Sequence, residues 1–378
     1  MKRVIVFILS VCFVVNLPLN VYAADKKESE LTAVSSILMC MDTGDVISED
    51  NAYEHVSPAS VTKIMSILLI MEAIDSGKIS LSDMVTASEN AQSKGGSQIW
   101  LETGEQMSVE DLLKAVVIAS ANDACTALGE YVAGSDSAFV KMMNDKVEEL
   151  GLKDTNFENC TGLDDTTVNH YSCAYDLAVI ATEVMKYDLI KKYSTVWLDS
   201  LRNGETELNN TNKLVNTYDG ITGLKTGTTS NAGFCLCATA TRDGMSLVSV
   251  VLGAETSQER FDLASQLLDF GFNNYKLCPI EIDSSKITEI KVKNGRLKKT
   301  VPVSANYESI LVTKDCENFE YEYNIKNSVS APVRKGDPLG EIVVMSANSQ
   351  VASVELVASE DIKKVNFSYI FSELIKNI

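Results

Sequence analysis

The sequence predicts an α/β protein of the α+β kind: helices packed on one antiparallel sheet, then a small all-β domain and an amphipathic C-terminal helix. Three observations predict it. Helical patterns crowd between 57 and 185, apolar runs of strand length flank that stretch on both sides, and beyond 278 no helical pattern returns before the tail. The chain of 378 residues, 45% hydrophobic and 22% charged, is ordinary for a soluble globular protein, and its length suggests about two domains. A formal charge of −19 with no basic cluster excludes nucleic acid as a partner.

Lys2 and Arg3, the apolar run from Val4 to Val15 and the small-residue site Val21-Tyr22-Ala23 read as a secretory signal peptide over 1–23. The apolar run is short for a bilayer span. Val34 to Met41 reads as a strand, Asp42 to Asp45 as a turn, and Val46-Ile47 as the start of a returning strand. Pro58 suits a first helical turn. The residues after Lys63 are apolar on nearly every side until Gly77, which predicts a helix buried all round. Residues 81 to 107 read as loop with short strands. Ser108 ahead of Glu110-Asp111 starts a helix over Val109 to Ile118. Two more follow, Ala124 to Val132 and Ser137 to Leu150, the second closed by Gly151. Asn159 to Tyr171 is a polar loop, and Ala174 to Met185 an amphipathic helix.

From 213 the character changes. Lys213 to Val215, Gly233 to Thr241 and Met245 to Leu252 read as adjacent antiparallel strands, with Arg242-Asp243-Gly244 as a hairpin turn. Glu259 to Phe270 is helical. Cys278-Pro279 marks a break, after which Ile280 to Val357 alternates short strands and turns. Within 360–378, Phe367, Ile370, Phe371, Leu374 and Ile378 share one helical face. This tail suits a membrane surface, or packing on its own domain.

Eight of the nine cysteines (Cys40, Cys125, Cys160, Cys173, Cys235, Cys237, Cys278 and Cys316) would survive loss of the leader. An even count permits disulfides, yet the spacings make no compact framework. Buried free thiols are the preferred reading. Without Cys-x-x-Cys, and with only His55 and His170, no zinc-site spacing is present.

The chemistry centres on Ser57-Pro58-Ala59-Ser60-Val61-Thr62-Lys63. Ser60 and Lys63 lie one helical turn apart on one face, so the amine reaches the hydroxyl beside the free N–H groups of a helix start. Such spacings arise roughly twice by chance in a chain of this size, so other residues must join them. There is no Gly-x-Ser-x-Gly, no His-Glu-x-x-His and no Gly-x-Gly-x-x-Gly. Neither histidine has a recognisable triad setting, so a serine hydrolase on this chain would use lysine as its base. Ser120 and Asn122 offer a hydroxyl that relays protons and an amide that holds a substrate amide; alternatively they cap the next helix. Lys225-Thr226-Gly227, opening an apolar strand, offers a cation and a hydroxyl for a carboxylate, with Gly227 admitting substrate backbone; alternatively it is an exposed turn.

Ser-x-x-Lys, Ser-x-Asn and Lys-Thr-Gly in that order resemble the penicillin-recognising serine enzymes. Within them the chain looks like a low-molecular-mass penicillin-binding protein, a serine D-alanyl-D-alanine carboxypeptidase. Pro58 to Met65, Ser120 to Ala124, Thr161-Gly162-Leu163-Asp164, Ala174 to Ala178 and Gly223 to Thr229 carry the likeness, while Asn159-Cys160-Thr161 departs from the commoner His-Gly-Leu-Asp wording. The resemblance implies a β-lactamase/transpeptidase-like fold. It divides the chain into a serine peptidase domain over 24–277, an all-β domain over 278–357 and a membrane-associating tail over 358–378.

It implies Ser60, Lys63 and Ser120 as catalytic, and Asn122, Lys225, Thr226, Gly227 and Thr228 as substrate-binding. Backbone N–H groups of Ser60 and Thr228 would meet the oxyanion, Arg260 would assist with the carboxylate, and no metal or cofactor is expected. Lys63 is expected neutral, through burial and the positive charge of Lys225. The implied partners are peptidoglycan stem peptides, β-lactams as inhibitors and the outer face of the cytoplasmic membrane. A class A β-lactamase would need a Glu-x-x-x-Asn arrangement, which the loop from Asn159 to Asp165 lacks; an inactive wall-binding scaffold would not need every one of these positions filled.

Overall fold

A computed structural model describes residues 32–165, 167–304 and 309–376. The expected leader lies outside the described residues. Strand β1 (Ser35–Cys40) turns back into β2 (Val46–Asp50) as the hairpin predicted. A 3-10 turn, Ala59–Thr62, runs directly into α1 (Lys63–Asp75). A short ladder of β3 (Met84–Thr86) and β4 (Gln106–Ser108) encloses α2 (Glu89–Gln92). The helical layer continues with α3 (Val109–Ala119), α4 (Asn122–Ala133), α5 (Asp136–Glu149), α6 (Ala174–Val184) and α7 (Asp188–Ser194). Ser108 starts α3 as expected, its side chain accepting the Asp111 N–H.

After the hairpin of β5 (Leu198–Leu201) and β6 (Thr206–Asn209) come β7 (Ile221–Thr229), β8 (Gly233–Arg242), β9 (Met245–Ala254) and α8 (Ser257–Asn274). The main sheet is antiparallel in the order β2-β1-β9-β8-β7, so strands from both ends of the region meet at β1 and β9. Side chains alternate across it. Ile37, Met39, Val248 and Val250 join the core that contains α1. Leu38 and Leu247 point the other way, where Gly271 of α8 lets them in: a Cβ there would sit 2.5 Å from Leu247 and 3.1 Å from Leu38. With both faces covered, the inner strands read as mostly apolar runs rather than as strict alternation.

Two predictions fail locally. Lys213 to Val215 is not a strand but part of a 3-10 turn, Lys213–Asn216, whose Leu214 N–H is met by the Asn212 side chain. A short polar side chain that bonds its own backbone outcompetes a two-residue apolar pair. Lys225-Thr226-Gly227 does not open a strand but lies in the middle of β7. The stretch 186–212, for which the pattern predicts no element, holds α7 and the β5–β6 hairpin.

The C-terminal all-β domain comprises β10 (Tyr275–Pro279), β11 (Ile290–Lys293), β12 (Lys299–Thr300), β13 (Pro302–Ser304), β14 (Ser309–Thr313), β15 (Glu320–Ile325), β16 (Ser328–Ser330), β17 (Pro338–Ser346) and β18 (Ser349–Ala358). They form small sheets ordered β13-β18-β17-β15, β12-β11-β16 and β10-β14. Chain beyond β18 still belongs to this packing: Ile362 is buried with Ile290 and Val292 and bridges to Val333. Helix α9 (Phe367–Lys376) follows, with Phe367, Ile370, Phe371 and Ile375 all exposed. No helix among the described residues is long and apolar enough to cross a membrane. The eight cysteines are free, six of them buried.

Candidate active site

The tight turn before α1 brings the first pair together. Lys63 Nζ donates to Ser60 Oγ at 3.0 Å and to the Thr161 carbonyl at 2.8 Å. The Lys63 side chain is wholly buried, and burial pushes its pKa down to about 8 from an ordinary 10.5. Cys125, Cys160 and Asp123 act weakly in the opposite sense. The push expected from Lys225 falls instead on Lys225 itself. That amine is held well below 10.5, first by burial, then by the charges of Lys63 and Arg260. Two ammonium groups in one dry pocket repel, and the one that yields its proton first no longer burdens the other.

Two glycines permit the turn. Gly227 faces it from β7, where a Cβ would lie 2.8 Å from the Pro58 carbonyl and 2.9 Å from the Ser60 nitrogen. Its missing side chain therefore admits the protein's own Ser60 turn, a closer reason than the substrate approach expected of it. Gly162, with φ +82°, takes the Ala59 carbonyl where a Cβ would be 1.7 Å away. Thr161 and Gly162 thus set the lysine from one side while Gly227 sets the serine from the other.

Ser120 ends α3 in the left-handed region, φ +63°, which a serine adopts only when its surroundings impose it. It does not cap the next helix: the residue before α4 is Ala121, with no side-chain cap. Asn122 Nδ2 donates to the Gly95 carbonyl at 2.7 Å, and the Asn122 backbone N–H to the Ser97 carbonyl at 2.7 Å. Ser120 Oγ and Asn122 Oδ1 are buried with no partner among the described residues. Such orphaned groups cost about 1–3 kcal/mol each, and a ligand or water at the same place removes the cost.

Lys225, Thr226 and Gly227 are buried in β7, so the alternative of an exposed turn is excluded. Lys225 Nζ donates to the Thr226 carbonyl at 3.1 Å, and Thr226 Oγ1 to Thr211 Oγ1 at 2.7 Å. The strand is outermost in its sheet, and among the described residues no further strand pairs with it. Thr228 Oγ1 donates to the Gly227 carbonyl at 2.6 Å. Arg260 is turned toward protein groups. Its Nη1 donates to the Gly227 carbonyl at 2.9 Å, to Thr228 Oγ1 at 3.0 Å and to the Cys235 carbonyl at 3.1 Å, so it ties β7 to β8.

Sequence reasoning missed the parts that act through backbone. The Thr161 carbonyl lies nearly a hundred positions from Lys63, and no spacing rule links them. Asp164 Oδ2 accepts from Ser57 Oγ at 3.4 Å and from Thr229 Oγ1, clipping the Ser60 turn to the end of β7. Its place in Thr161-Gly162-Leu163-Asp164 was the available signal. His170 supports Thr62 from behind at 2.8 Å and accepts the Glu158 N–H on Nδ1. Burial lowers its pKa to about 4, which suits a neutral ring holding a loop.

Helices on a five-stranded antiparallel sheet, with a serine and a lysine at the foot of a buried helix, define the class of the low-molecular-mass penicillin-binding proteins. The description D-alanyl-D-alanine carboxypeptidase matches residues 22–256, and penicillin-binding protein 5, C-terminal domain, matches residues 280–364. The chain belongs to the D-alanyl-D-alanine carboxypeptidase family and is a serine peptidase. It is 44% identical over 349 residues to the D-alanyl-D-alanine carboxypeptidase DacF of Bacillus subtilis (strain 168), covering 90% of this chain and 89% of that one. Its fold is similar to penicillin binding protein 5 from Haemophilus influenzae, with a TM-score of 0.78, 31% identity, and 89% of this chain and 99% of that one covered. It is also similar to penicillin-binding protein D2 from Listeria monocytogenes, solved in its ampicillin-bound form. There the TM-score is 0.60 and the identity 29%, over 65% of this chain and 99% of that one.

Proposed function

We propose that the protein hydrolyses the terminal D-Ala-D-Ala bond of peptidoglycan stem pentapeptides through an acyl-enzyme on Ser60. The observation that carries this is the buried Lys63 amine, 3.0 Å from Ser60 Oγ with its pKa lowered to about 8. A neutral amine at that distance is a general base. Ser60 Oγ forms a bond to the penultimate D-alanine carbonyl carbon while its proton passes to Lys63. Backbone N–H groups of Ser60 and Thr228 receive the oxyanion. The C–N bond then breaks, and Ser120 hands the proton on to the departing D-alanine nitrogen. Water hydrolyses the ester, leaving the shortened peptide carboxylate and free Ser60. No metal or cofactor enters any step.

Asn122 holds the substrate amide, and the peptide lies along the outer edge of β7. Its terminal carboxylate meets Lys225, Thr226 and Thr228, with Gly227 keeping the strand close to Ser60. The arriving carboxylate favours the protonated form of Lys225 and offsets the burial that opposes it. Penicillins acylate Ser60 in the same way and stay attached, because their leaving nitrogen remains tethered to the acyl group. The protein works outside the cytoplasm, with the exposed apolar side chains of α9 resting on the outer face of the cytoplasmic membrane. The test is release of D-alanine from a synthetic stem pentapeptide. The intact protein is expected to release it and the Ser60→Ala variant to lose at least about 10³-fold in rate; full activity in that variant would contradict the mechanism.

A further inference from the structure

From Ser97 to Leu101 the backbone is fastened at alternate residues, Ser97, Ile99 and Leu101. The Ser97 carbonyl accepts the Asn122 N–H at 2.7 Å. The Asp123 carboxylate accepts the Ile99 N–H at 3.1 Å and the Leu101 N–H at 3.0 Å. Arg202 Nη1 donates to the Ile99 carbonyl at 2.8 Å. Ile99 and Leu101 are buried, while Trp100 between them is 74% exposed. Its φ is +59°, where a bulky side chain is a genuine outlier. Backbone strain of this kind persists only when its surroundings impose it, and it gathers at ligand-binding sites. Trp100 makes no ring, cation or hydrogen-bond contact among the described residues to offset it.

The position is close to the candidate site. Ser97 touches Asn122 and lies three residues from Trp100, so at about 3.5 Å per residue the Trp100 Cα is within about 15 Å of the Asn122 nitrogen. In the reaction proposed above, Asn122 holds an amide beside the scissile bond. The residue preceding the D-alanine pair then lies one or two residue lengths further on, about 7 Å. Where that residue is lysine, its side chain is a run of methylenes ending in an amine. An indole face is the best aromatic partner for an ammonium group, and it takes methylenes by apolar contact. The local charge favours a cation as well. Glu102 is exposed two residues on, and the guanidinium of Arg202 is already paired with Glu105 at 2.8 and 3.0 Å.

We propose that Trp100 is a specificity-determining residue that stacks on the free side-chain amine of a lysine at that position, selecting un-cross-linked stems over those whose amine is acylated. The proposal rests on the carboxypeptidase reading of the same site. Its test compares D-alanine release from N-acetyl-L-Lys-D-Ala-D-Ala with a free ε-amine and from the same peptide acetylated on that amine. The intact protein is expected to favour the free amine by about five- to thirtyfold in kcat/KM, mainly through KM. The preference should fall to about one in Trp100→Ala and stay intermediate in Trp100→Phe, with thermal melts showing both variants folded. No preference in the intact protein, or an undiminished one in Trp100→Ala, overturns the proposal while D-alanine release upholds the reaction. No release from either peptide overturns the reaction and the proposal with it.

Discussion

Lys63 loses much of its affinity for a proton when α1 is buried, and the protein bears the cost. Its pKa of about 8 in the folded chain lies below the ordinary 10.5. The burial penalty is therefore absent above pH 10.5, grows as pH falls, and is complete below about 8. At about 1.4 kcal/mol per unit this amounts to a few kcal/mol at neutral pH. Lys63→Met, which keeps the volume and removes the charge, is expected to raise the thermal unfolding midpoint by a few degrees while abolishing D-alanine release. A melt at pH 7 beside a turnover assay checks it, and a lowered midpoint would show that the two hydrogen bonds of Lys63 outweigh its desolvation. Such an exchange of stability for activity is usual at sites that hold a strained or buried charge.

At the scale of elements, the site depends on three pieces of backbone meeting at one turn: the 3-10 turn of Ser60, the loop of Thr161 and Gly162, and β7. Gly227→Ala would press a methyl onto the Pro58 carbonyl and the Ser60 nitrogen, both backbone atoms that cannot rotate aside. The expected result is a loss of about 1–3 kcal/mol in stability and of about a hundredfold in activity, since a 1 Å shift of the serine suffices for that. Denaturant melts and D-alanine release check both halves, and an active, stable variant would mean that β7 shifts freely. The same scale explains what was legible in the sequence. Ser60 and Lys63 share a helical turn, Ser120 and Asn122 flank a helix start, and Lys225 to Gly227 are contiguous, so each group could be read locally. The Thr161 carbonyl could not, because its role follows from a loop folded across α1 and not from its side chain. The partners of Arg260 are illegible for a related reason: its helix is readable, but the direction of its guanidinium depends on where β7 and β8 lie beneath it. Lys213 to Val215 failed because two apolar residues carry no period, and the neighbouring Asn212 decided the local backbone.

For the whole molecule, the all-β domain is interposed between the peptidase region and α9. Chain through Ile362 is built into that domain, whereas Phe367, Ile370, Phe371 and Ile375 are left exposed on the final helix. A chain ending at Val365 is therefore expected to keep its fold and its activity on soluble peptide. It should lose co-sedimentation with phospholipid vesicles that the full chain shows. Sedimentation of both chains with vesicles of anionic and of neutral composition separates apolar insertion from charge, and equal binding by the shortened chain would remove α9 from the membrane. The net charge of −19 makes apolar contact the more reasonable route to an anionic surface.

The proposed reaction turns on an uncharged amine beside an alcohol, and the pH dependence of acylation measures it directly. With fluorescent penicillin in excess, the rate of covalent labelling is expected to rise with pH through an inflection near 8, the pKa to which burial lowers Lys63, and to level off above it. The Lys63→Met variant should lose both the rate and the inflection. A labelling rate indifferent to pH between 6 and 10 (a range of about 2 units on either side), or an inflection that survives in that variant, would contradict it.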